Sequence, residues 1–367
     1  MRKKDIRYTL AKWLFCPSVA LITFAITEFL ARNPHITEKY YSGGLYPNIA
    51  SLLSRISSVF QFSLDDAFYV ILILLFISLI ILSLFRKIAW KTTGRIVLNI
   101  AAISYVLFYF LWGFNYFRQD LNTRLILQER KPETKEYVTV LEDMVKQTNE
   151  SYDSFKNFGK QEIDSLIENA YKNLATGLLL KYPAGKRKAK KITFSRFFAR
   201  AGISGYYGPF FNEVHVNKYN LPIEYPFVLA HEKAHQFGVT GEAEANFYAW
   251  LVCKQSDSKM LHYSANLVAL RYFIYQGTQL EELPELVKKL NEPVKKDLQK
   301  IREHWAELRD KKVDQVASKV NDAYLKTNKV EKGIDDYTGI VKYIMDFSYD
   351  YSFQERNNLQ SANKSYF

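Results

Sequence analysis

The segment of the sequence best suited to chemistry is HEKAHQFGVTGEAEAN, at residues 231–246. His231 and His235 are four residues apart, and Glu232 follows the first of them. On a helix the two histidines lie one turn apart on the same face, so both can bind one zinc ion at about 2.0–2.1 Å. Glu232 is rotated by about 100° from His231, where a general base for a metal-activated water belongs. The spacing predicts a hydrolase with Zn2+ as its cofactor.

A catalytic zinc ion needs a third protein ligand and an open fourth position. Gly241 stands where the metzincin spacing would place that ligand, so this pattern is excluded. The segment resembles gluzincin-type metallopeptidases, in which a helix glutamate is the third ligand and a residue four positions later orients a zinc-bound histidine. Glu242 and Asn246 have this relation and share a helix face. The resemblance implies Glu242 as the third ligand, with Glu244 as the alternative.

The elements around the motif must hold these ligands in place. The histidine helix is expected to follow Pro222 and Pro226, because proline fits a first helical turn, and to end at Gly238. The alternating stretch NEVHVNKY, at residues 212–219, predicts an edge strand beside which an extended peptide can lie, and it contains His215. An oxyanion donor is also needed, and the sequence offers five without choosing among them: Tyr206, Tyr207, Tyr263, Arg271 and Tyr337.

Three apolar runs in the N-terminal third are candidates for membrane spans. Residues 67–85 and 96–117 contain no charged side chain, and about 20 helical residues cross a hydrocarbon layer of roughly 30 Å. The first run, residues 13–27, is shorter and contains Pro17, so a cleaved signal peptide is its alternative. No small-residue cleavage site follows it, and a retained helix is expected. The predicted transmembrane helices are at about residues 11–31, 66–85 and 95–117.

Basic residues lie mainly on one side of these predicted spans. The N-terminal MRKKDIR and the loop RKIAWKTTGR, at residues 86–95, are basic, whereas the loop after the first run is less so. Because basic loops stay in the cytoplasm, the N-terminus is expected inside and everything after residue 117 outside. We therefore expect a membrane domain at residues 1–117 and an extracytoplasmic domain at residues 118–367. This arrangement predicts a multi-pass membrane protein, with the lipid bilayer as a partner.

The overall composition excludes some classes of protein. The net charge is +12, but no nucleic-acid-binding motif accompanies it, so no nucleic acid is expected as a partner. Cys16 and Cys253, the two cysteines, exclude a disulfide framework. The six basic residues within residues 181–191 predict a solvated, mobile loop.

The remaining patterns predict a largely helical chain. Residues 49–60 have apolar side chains at helical spacing, which places this segment on the membrane interface or beneath the outer domain. Further helices are expected at Thr134–Thr148, at Lys160–Lys181 and, as long exposed helices, within Glu281–Lys332. Gly and Pro punctuation predicts a β-like patch at Ile192–Tyr219.

Several motifs occur together along the chain: YYSGGLYP (40–47), FSLDD (62–66), GISGYYGPFFNEVHVN (202–217), the zinc segment and NDAYLKTNKVEKGIDDYTGIV (321–341). On these motifs the chain resembles a family of bacterial membrane proteins, domain of unknown function 3810 (DUF3810), over most of its length. The resemblance implies a membrane-anchored zincin of the bacterial inner membrane. One departure is Lys233, where such zinc motifs usually have an apolar residue, and it leaves the burial of that helix side open.

These patterns predict an α-rich membrane protein, with three transmembrane helices followed by a mainly helical α+β zincin-like domain. As a peptidase it would hold zinc with His231, His235 and Glu242, use Glu232 as the general base, and act on an unidentified protein or peptide. The alternative is a non-catalytic envelope sensor or scaffold that keeps the zinc-binding fold. A third hypothesis is that the protein is an inert anchor that binds anionic envelope components through residues 181–191.

Overall fold

The computed structural model describes residues 3–127, 131–157, 159–185 and 187–349. The chain is mostly helical, which confirms the predicted α-rich class, and its only sheet within the described residues has three short strands. The N-terminal helices are α1 (Lys3–Ala31), α2 (Pro34–Ile36), α3 (Tyr46–Ser57), α4 (Leu64–Leu84) and α5 (Trp90–Leu111), with a π-helix at Thr37–Leu45 and a 3-10 helix at Gly113–Phe117.

Three of these helices are long and apolar enough to cross a membrane: Trp13–Ala31 within α1, α4 and α5. They are compatible with a membrane anchor, and α5 packs against both α1 and α4. Helix α4 begins one residue after Ser63, whose side chain accepts a hydrogen bond from the Asp66 amide and caps the helix. Helix α5 ends at Leu111, six residues before the predicted end of the third span, because Trp112 leaves the helical conformation.

The amphipathic segment predicted at residues 49–60 forms α3, which starts three residues earlier, with Pro47 in its first turn. Its buried residues are Tyr46, Pro47, Ala50, Ser51, Ser54 and Ser57, whereas the side chains of Leu52 and Ile56 are exposed. Asn212 donates to the Ala50 carbonyl oxygen at 2.9 Å and to the Ser54 hydroxyl at 2.7 Å. The segment therefore packs beneath the C-terminal part of the chain, one of the two predicted positions.

The C-terminal helices enclose the larger hydrophobic core. They are α6 (Leu121–Leu125), α7 (Thr134–Glu150), α8 (Lys160–Leu174), α9 (Ser195–Arg200), α10 (Tyr225–Gln236), α11 (Glu242–Lys254), α12 (Lys259–Gln276), α13 (Leu283–Lys288), α14 (Glu292–Leu308), α15 (Lys311–Thr327) and α16 (Ile340–Tyr349), with a 3-10 helix at Gly333–Gly339. Helices α10, α11 and α12 pack on one another. The prediction of a helix continuing to Lys181 is wrong, because α8 ends at Leu174 and the chain turns near Gly177.

The sheet is smaller than the predicted patch. Its strands are β1 (Lys190–Lys191), β2 (Gly205–Gly208) and β3 (Glu213–Val216), in the order β1-β3-β2. Strand β3 pairs in parallel with β1 and antiparallel with β2, and His215 is opposite Tyr206. The strand containing His215 is thus the central one, and its prediction as an edge strand is wrong. The edge strands are β1 and β2.

Candidate metal centre

Helices α10 and α11 carry the residues of the zinc motif. Helix α10 has Pro226 in its first turn and ends at Gln236. Gly238 follows with φ +82°, a conformation that favours glycine, and the Val239 amide donates to the Ala234 carbonyl oxygen at 3.1 Å. The chain then reverses, and α11 begins at Glu242. This short connection brings the first turn of α11 against the histidine face of α10.

The structure brings His231, His235 and Glu242 together in a buried cluster. The Nε2 atoms of His231 and His235 are 3.1 Å apart. Glu242 Oε2 lies 3.2 Å from His231 Nε2 and 3.4 Å from His235 Nε2. Ligand atoms on a tetrahedral zinc ion with bonds of about 2.05 Å are about 3.3–3.4 Å apart. The three atoms are therefore spaced as ligands of one ion, and the donor set of two imidazoles and a carboxylate fits zinc.

The protonation of the two histidines also bears on metal binding. His235 Nδ1 lies 2.7 Å from the Val239 carbonyl oxygen. Because a carbonyl oxygen only accepts, Nδ1 carries a proton there and Nε2 is the atom available to a metal. His231 Nδ1 and Glu242 Oε2 are buried without a hydrogen-bond partner among the described residues. A bound cation would satisfy Glu242 Oε2, whose neighbours are the two Nε2 atoms.

Electrostatics tie the three groups to one another. Burial alone would lower the pKa of His235, but the Glu242 carboxylate outweighs it and raises this pKa to about 9. Burial would likewise raise the pKa of Glu242, but His235 and His231 outweigh it and hold this pKa well below its usual range. Glu242 is thus ionised, as a metal ligand must be, whereas His235 Nε2 holds a proton at neutral pH that a bound ion would displace.

Glu232 is buried beside the cluster, next to strand β2. A Cβ added to Gly205 would lie 2.6 Å from Glu232 Oε1, so β2 passes directly over this carboxylate. Burial raises the pKa of Glu232 to about 7, although His231 and His235 act to lower it. None of the described residues donates a hydrogen bond to its carboxylate. Glu232 therefore lies beside the histidines as a buried carboxylate covered by β2.

Glu244 and Asn246 have other partners. The Glu244 carboxylate forms an ion pair with the buried Arg124 and does not join the two histidines. Asn246 donates to the Tyr337 carbonyl oxygen at 3.1 Å and lies 3.4 Å from the Tyr272 hydroxyl. The orienting role that the gluzincin resemblance implies for Asn246 is not seen. His235 Nδ1 contacts the Val239 carbonyl oxygen, and His231 Nδ1 has no hydrogen-bond partner among the described residues.

Of the five candidate oxyanion donors, two lie against the cluster. The Tyr337 ring stacks on His231 with centroids 6.4 Å apart, and the Tyr207 ring lies 6.5 Å from that of His235. Tyr206 is hydrogen-bonded to Asp66, Tyr263 to Asp297, and Arg271 lies 3.8 Å from Glu224. These three are committed to partners outside the cluster, and so is the Tyr207 hydroxyl, which donates to Asn212 Oδ1 at 2.7 Å.

The N-terminal part of the chain supports the ligand helix. Trp112 Nε1, directly after α5, donates to the His235 carbonyl oxygen at 2.9 Å. The Tyr46 hydroxyl donates to the Gln236 carbonyl oxygen at 2.8 Å, and the Arg118 guanidinium donates to the Gly238 carbonyl oxygen at 3.0 Å. Sequence reasoning does not identify these residues as parts of the site. The YYSGGLYP motif, which contains Tyr46, was the available signal.

A second buried polar network joins the start of α4 to the sheet. His215 Nε2 lies 2.7 Å from the Ser63 hydroxyl, and its ring stacks on Tyr206 with centroids 4.2 Å apart. Glu213 accepts from the Ser63 hydroxyl at 3.1 Å and pairs with Lys190. His215 is fully buried, so it holds the sheet to the helix rather than lining the metal cluster.

The basic segment at residues 181–191 is only partly solvated, so the prediction of a solvated loop is wrong for two of its side chains. Arg187 is buried and lies 3.1 Å from Glu168. Lys190 donates to the carbonyl oxygens of Ser57 at 2.9 Å and Phe62 at 2.7 Å. Lys186 lies outside the described residues. These contacts attach the segment to α3 and the start of α4.

Comparison with known proteins gives one match. A family model described as "Protein of unknown function (DUF3810)" matches residues 41–345. No curated protein and no solved structure matches the chain.

Proposed function

The chain belongs to this DUF3810 family of unknown function, and we propose that it is a membrane-anchored, zinc-dependent peptidase. Its zinc ligands are His231, His235 and Glu242, and Glu232 is its general base. The observation that carries the proposal is the triangle of donor atoms, with sides of 3.1, 3.2 and 3.4 Å. Such spacing is expected around a tetrahedral ion.

Two features next to the triangle support peptide hydrolysis. Bound zinc supplies Lewis-acid activation of water and of the scissile carbonyl. Glu232, with its pKa raised to about 7 by burial, accepts the proton of the attacking water and delivers it to the departing amine. Strand β2 is a sheet edge next to Glu232, and its backbone offers hydrogen bonds to an extended peptide. Tyr337, whose ring stacks on His231, stabilises the oxyanion.

The proposed placement follows from the three apolar helices and the charge pattern of their loops. The anchor is in the bacterial inner membrane, the N-terminus is cytoplasmic and the metal centre is outside the cytoplasm. Trp112, which contacts the ligand helix, comes directly after the third apolar helix. The metal centre therefore lies close to the extracytoplasmic membrane surface.

The first test is the zinc content of the purified full chain, compared with His235→Ala. We expect close to one zinc per chain in the wild type and loss of most of it in the variant, because one of three protein ligands is gone. His262→Ala is the matched control, since this histidine lies outside the cluster and contacts the Ser256 carbonyl oxygen. Equal zinc in wild type and His235→Ala, with both folded, contradicts the ligand assignment.

The second test separates a peptidase from a scaffold that keeps zinc. A proteome-derived peptide library is incubated with the full chain in detergent, and new N-termini are counted by mass spectrometry. Glu232→Gln should keep its zinc and lose at least about 100-fold in cleavage, the range typical of a missing general base. Cleavage that survives in this variant overturns the role of Glu232. Zinc binding with no cleavage by the wild type supports the scaffold.

A further inference from the structure

Helix α15 carries an exposed row of apolar side chains. Val316, Val320 and Tyr324 are 63%, 65% and 40% exposed, respectively. Because they are four residues apart, they lie along one face of the helix and extend over about 12 Å. We call these three residues the α15 stripe. Exposed apolar rows of this kind mark contacts with a membrane or a partner.

A row of lysines runs beside the α15 stripe. Lys312, Lys319 and Lys326 are exposed and repeat every seven residues, rotated by about 40–80° from Val316 around the helix axis. The opposite side of α15 packs inward through Leu325, which is fully buried. An apolar sector flanked by lysines is typical of helices that lie in the headgroup region of a bilayer.

The C-terminal end of α15 contacts two of the apolar helices near their ends. The Tyr109 hydroxyl of α5 donates to Asn328 Oδ1 at 3.0 Å, and Lys329 Nζ lies 2.8 Å from Glu28 Oε1 of α1. The rings of Phe108 and Tyr324 have centroids 6.1 Å apart. These residues of α1 and α5 are within about one turn of Ala31 and Leu111, where the apolar helices end.

We propose that α15 is an interfacial membrane helix, with the α15 stripe inserted at the boundary between lipid headgroups and acyl chains. Lipid is the occupant because Tyr324, at one end of the stripe, packs on Phe108 near the end of a candidate span. The lysine row then meets anionic headgroups, although Lys326 also pairs with Asp322 of the same helix at 2.8 Å. The inference rests on the membrane placement in the proposed function and not on the metal chemistry.

Helix α15 also connects the bilayer surface to the metal cluster. The Tyr116 hydroxyl donates to the Tyr324 hydroxyl at 3.2 Å. The 3-10 helix that follows α15 carries Tyr337, which stacks on His231. An interfacial α15 therefore holds one wall of the metal centre at the level of the headgroups.

The test measures the depth of nitroxide labels on single cysteines in the full chain. The background is Cys16→Ala, because Cys253 is fully buried. Labels are placed by Val316→Cys, Val320→Cys and Lys319→Cys, all exposed positions that should not disturb folding. The protein is reconstituted in vesicles of phosphatidylethanolamine and phosphatidylglycerol, and power saturation compares collisions with oxygen and with a water-soluble nickel chelate.

Two further positions calibrate the depth scale. Leu75→Cys is exposed in the middle of α4 and reports whether the spans are inserted, and Gln299→Cys is an exposed polar position on α14. At Val316 and Val320 we expect an oxygen-to-nickel ratio about threefold or more above that at Gln299, since insertion reaches about 5–10 Å. At Lys319, on the rim, the ratio should be smaller.

The outcomes separate this inference from the proposed function. A lipid signal at Leu75 with Val316 and Val320 equal to Gln299 overturns the inference alone. A water-exposed Leu75 overturns the membrane placement and the inference with it. Dipolar broadening at Val320 that disappears on dilution with unlabelled chain would mean that a second copy covers the stripe, which also overturns lipid contact.

Discussion

At the scale of single residues, Gly205 determines where the proposed base lies. A Cβ there would meet Glu232 Oε1 at 2.6 Å, Glu232 Cγ at 2.9 Å and the His215 carbonyl oxygen at 2.9 Å. The Glu232 carboxylate could rotate away from this Cβ. The His215 carbonyl oxygen belongs to the backbone of β3 and cannot move without shifting the strand. Glycine is therefore required at this position by close packing of β2 over α10.

We expect Gly205→Ala to destabilise the protein and displace Glu232. The added methyl should lower the free energy of unfolding by about 1–3 kcal/mol, the usual cost of overpacking. Zinc content should be unchanged because no ligand is touched, whereas peptide cleavage should fall by about 100-fold for a displacement of about 1 Å. Thermal unfolding and zinc analysis measure the first two effects.

Gly94→Ala is the matched control for this change. A Cβ at Gly94 meets no atom within 4 Å, so this variant should unfold at a temperature no lower than the wild type. Equal unfolding temperatures for Gly205→Ala and Gly94→Ala would show that β2 and Glu232 are not in contact.

At the scale of elements, buried ion pairs fix α10 against α8. Lys233 is fully buried, and its Nζ lies 2.8 Å from Asp164 and 2.7 Å from Glu168. Burial alone would raise the pKa of Glu168, but Lys233 and Arg187 outweigh it and hold this pKa at about 2. Lys233 is about 200° from His231 around the helix. The atypical lysine in the zinc motif thus anchors the side of α10 opposite the metal ligands.

We expect Lys233→Met to destabilise the fold by about 3–5 kcal/mol, because it leaves buried carboxylates without their partner. Equilibrium unfolding in denaturant measures this change. Lys146→Met is the control, since Lys146 pairs with Glu150 at the exposed surface, at 4.0 Å, and such pairs contribute about 0–1 kcal/mol. If the two variants lose equal stability, the ion pairs of Lys233 do not hold α10 in place.

At the scale of the whole molecule, the N-terminal segments and the C-terminal helices pack together around the candidate metal centre. An aromatic cluster at the end of α5 includes Tyr46, Tyr109 and Trp112, and Tyr207 of β2 packs against it. Asp65, in the first turn of α4, accepts from the amides of Phe210 at 3.1 Å and Phe211 at 3.2 Å. The boundary at residue 117 stays a prediction, and these contacts cross it.

We therefore expect a fragment of residues 118–367 to be less stable than the full chain. Removing Trp112, Tyr46 and the start of α4 exposes apolar surface and removes the side-chain donors to the carbonyl oxygens of His235 and Gln236. Thermal unfolding and zinc content of the fragment and of the full chain in the same detergent measure the loss. A fragment with the same unfolding temperature and zinc content would establish residue 118 as an independent domain boundary.

Features that depend on the local spacing of residues could be predicted from the sequence. Runs of about 20 apolar residues specify the three membrane-length helices, and their existence follows from composition alone. The position of His231 and His235 on one face of α10 follows from the helical repeat, and the helix stop follows from Gly238. The end of α8 at Leu174 was not predicted, because a turn ends this helix and no periodic pattern marks the position of the turn.

Contacts between segments that are distant in the sequence could be identified only from the tertiary structure. Glu242 meets the histidines and Glu244 turns to Arg124, because the connection through Gly238 sets the rotation of α11 and Arg124 comes from α6, over 100 residues earlier. The contact of Gly205 with Glu232, the burial of Lys233 and the bond from Trp112 to α10 likewise join distant segments. Periodicity describes one element at a time, whereas these contacts depend on how separate elements pack against each other.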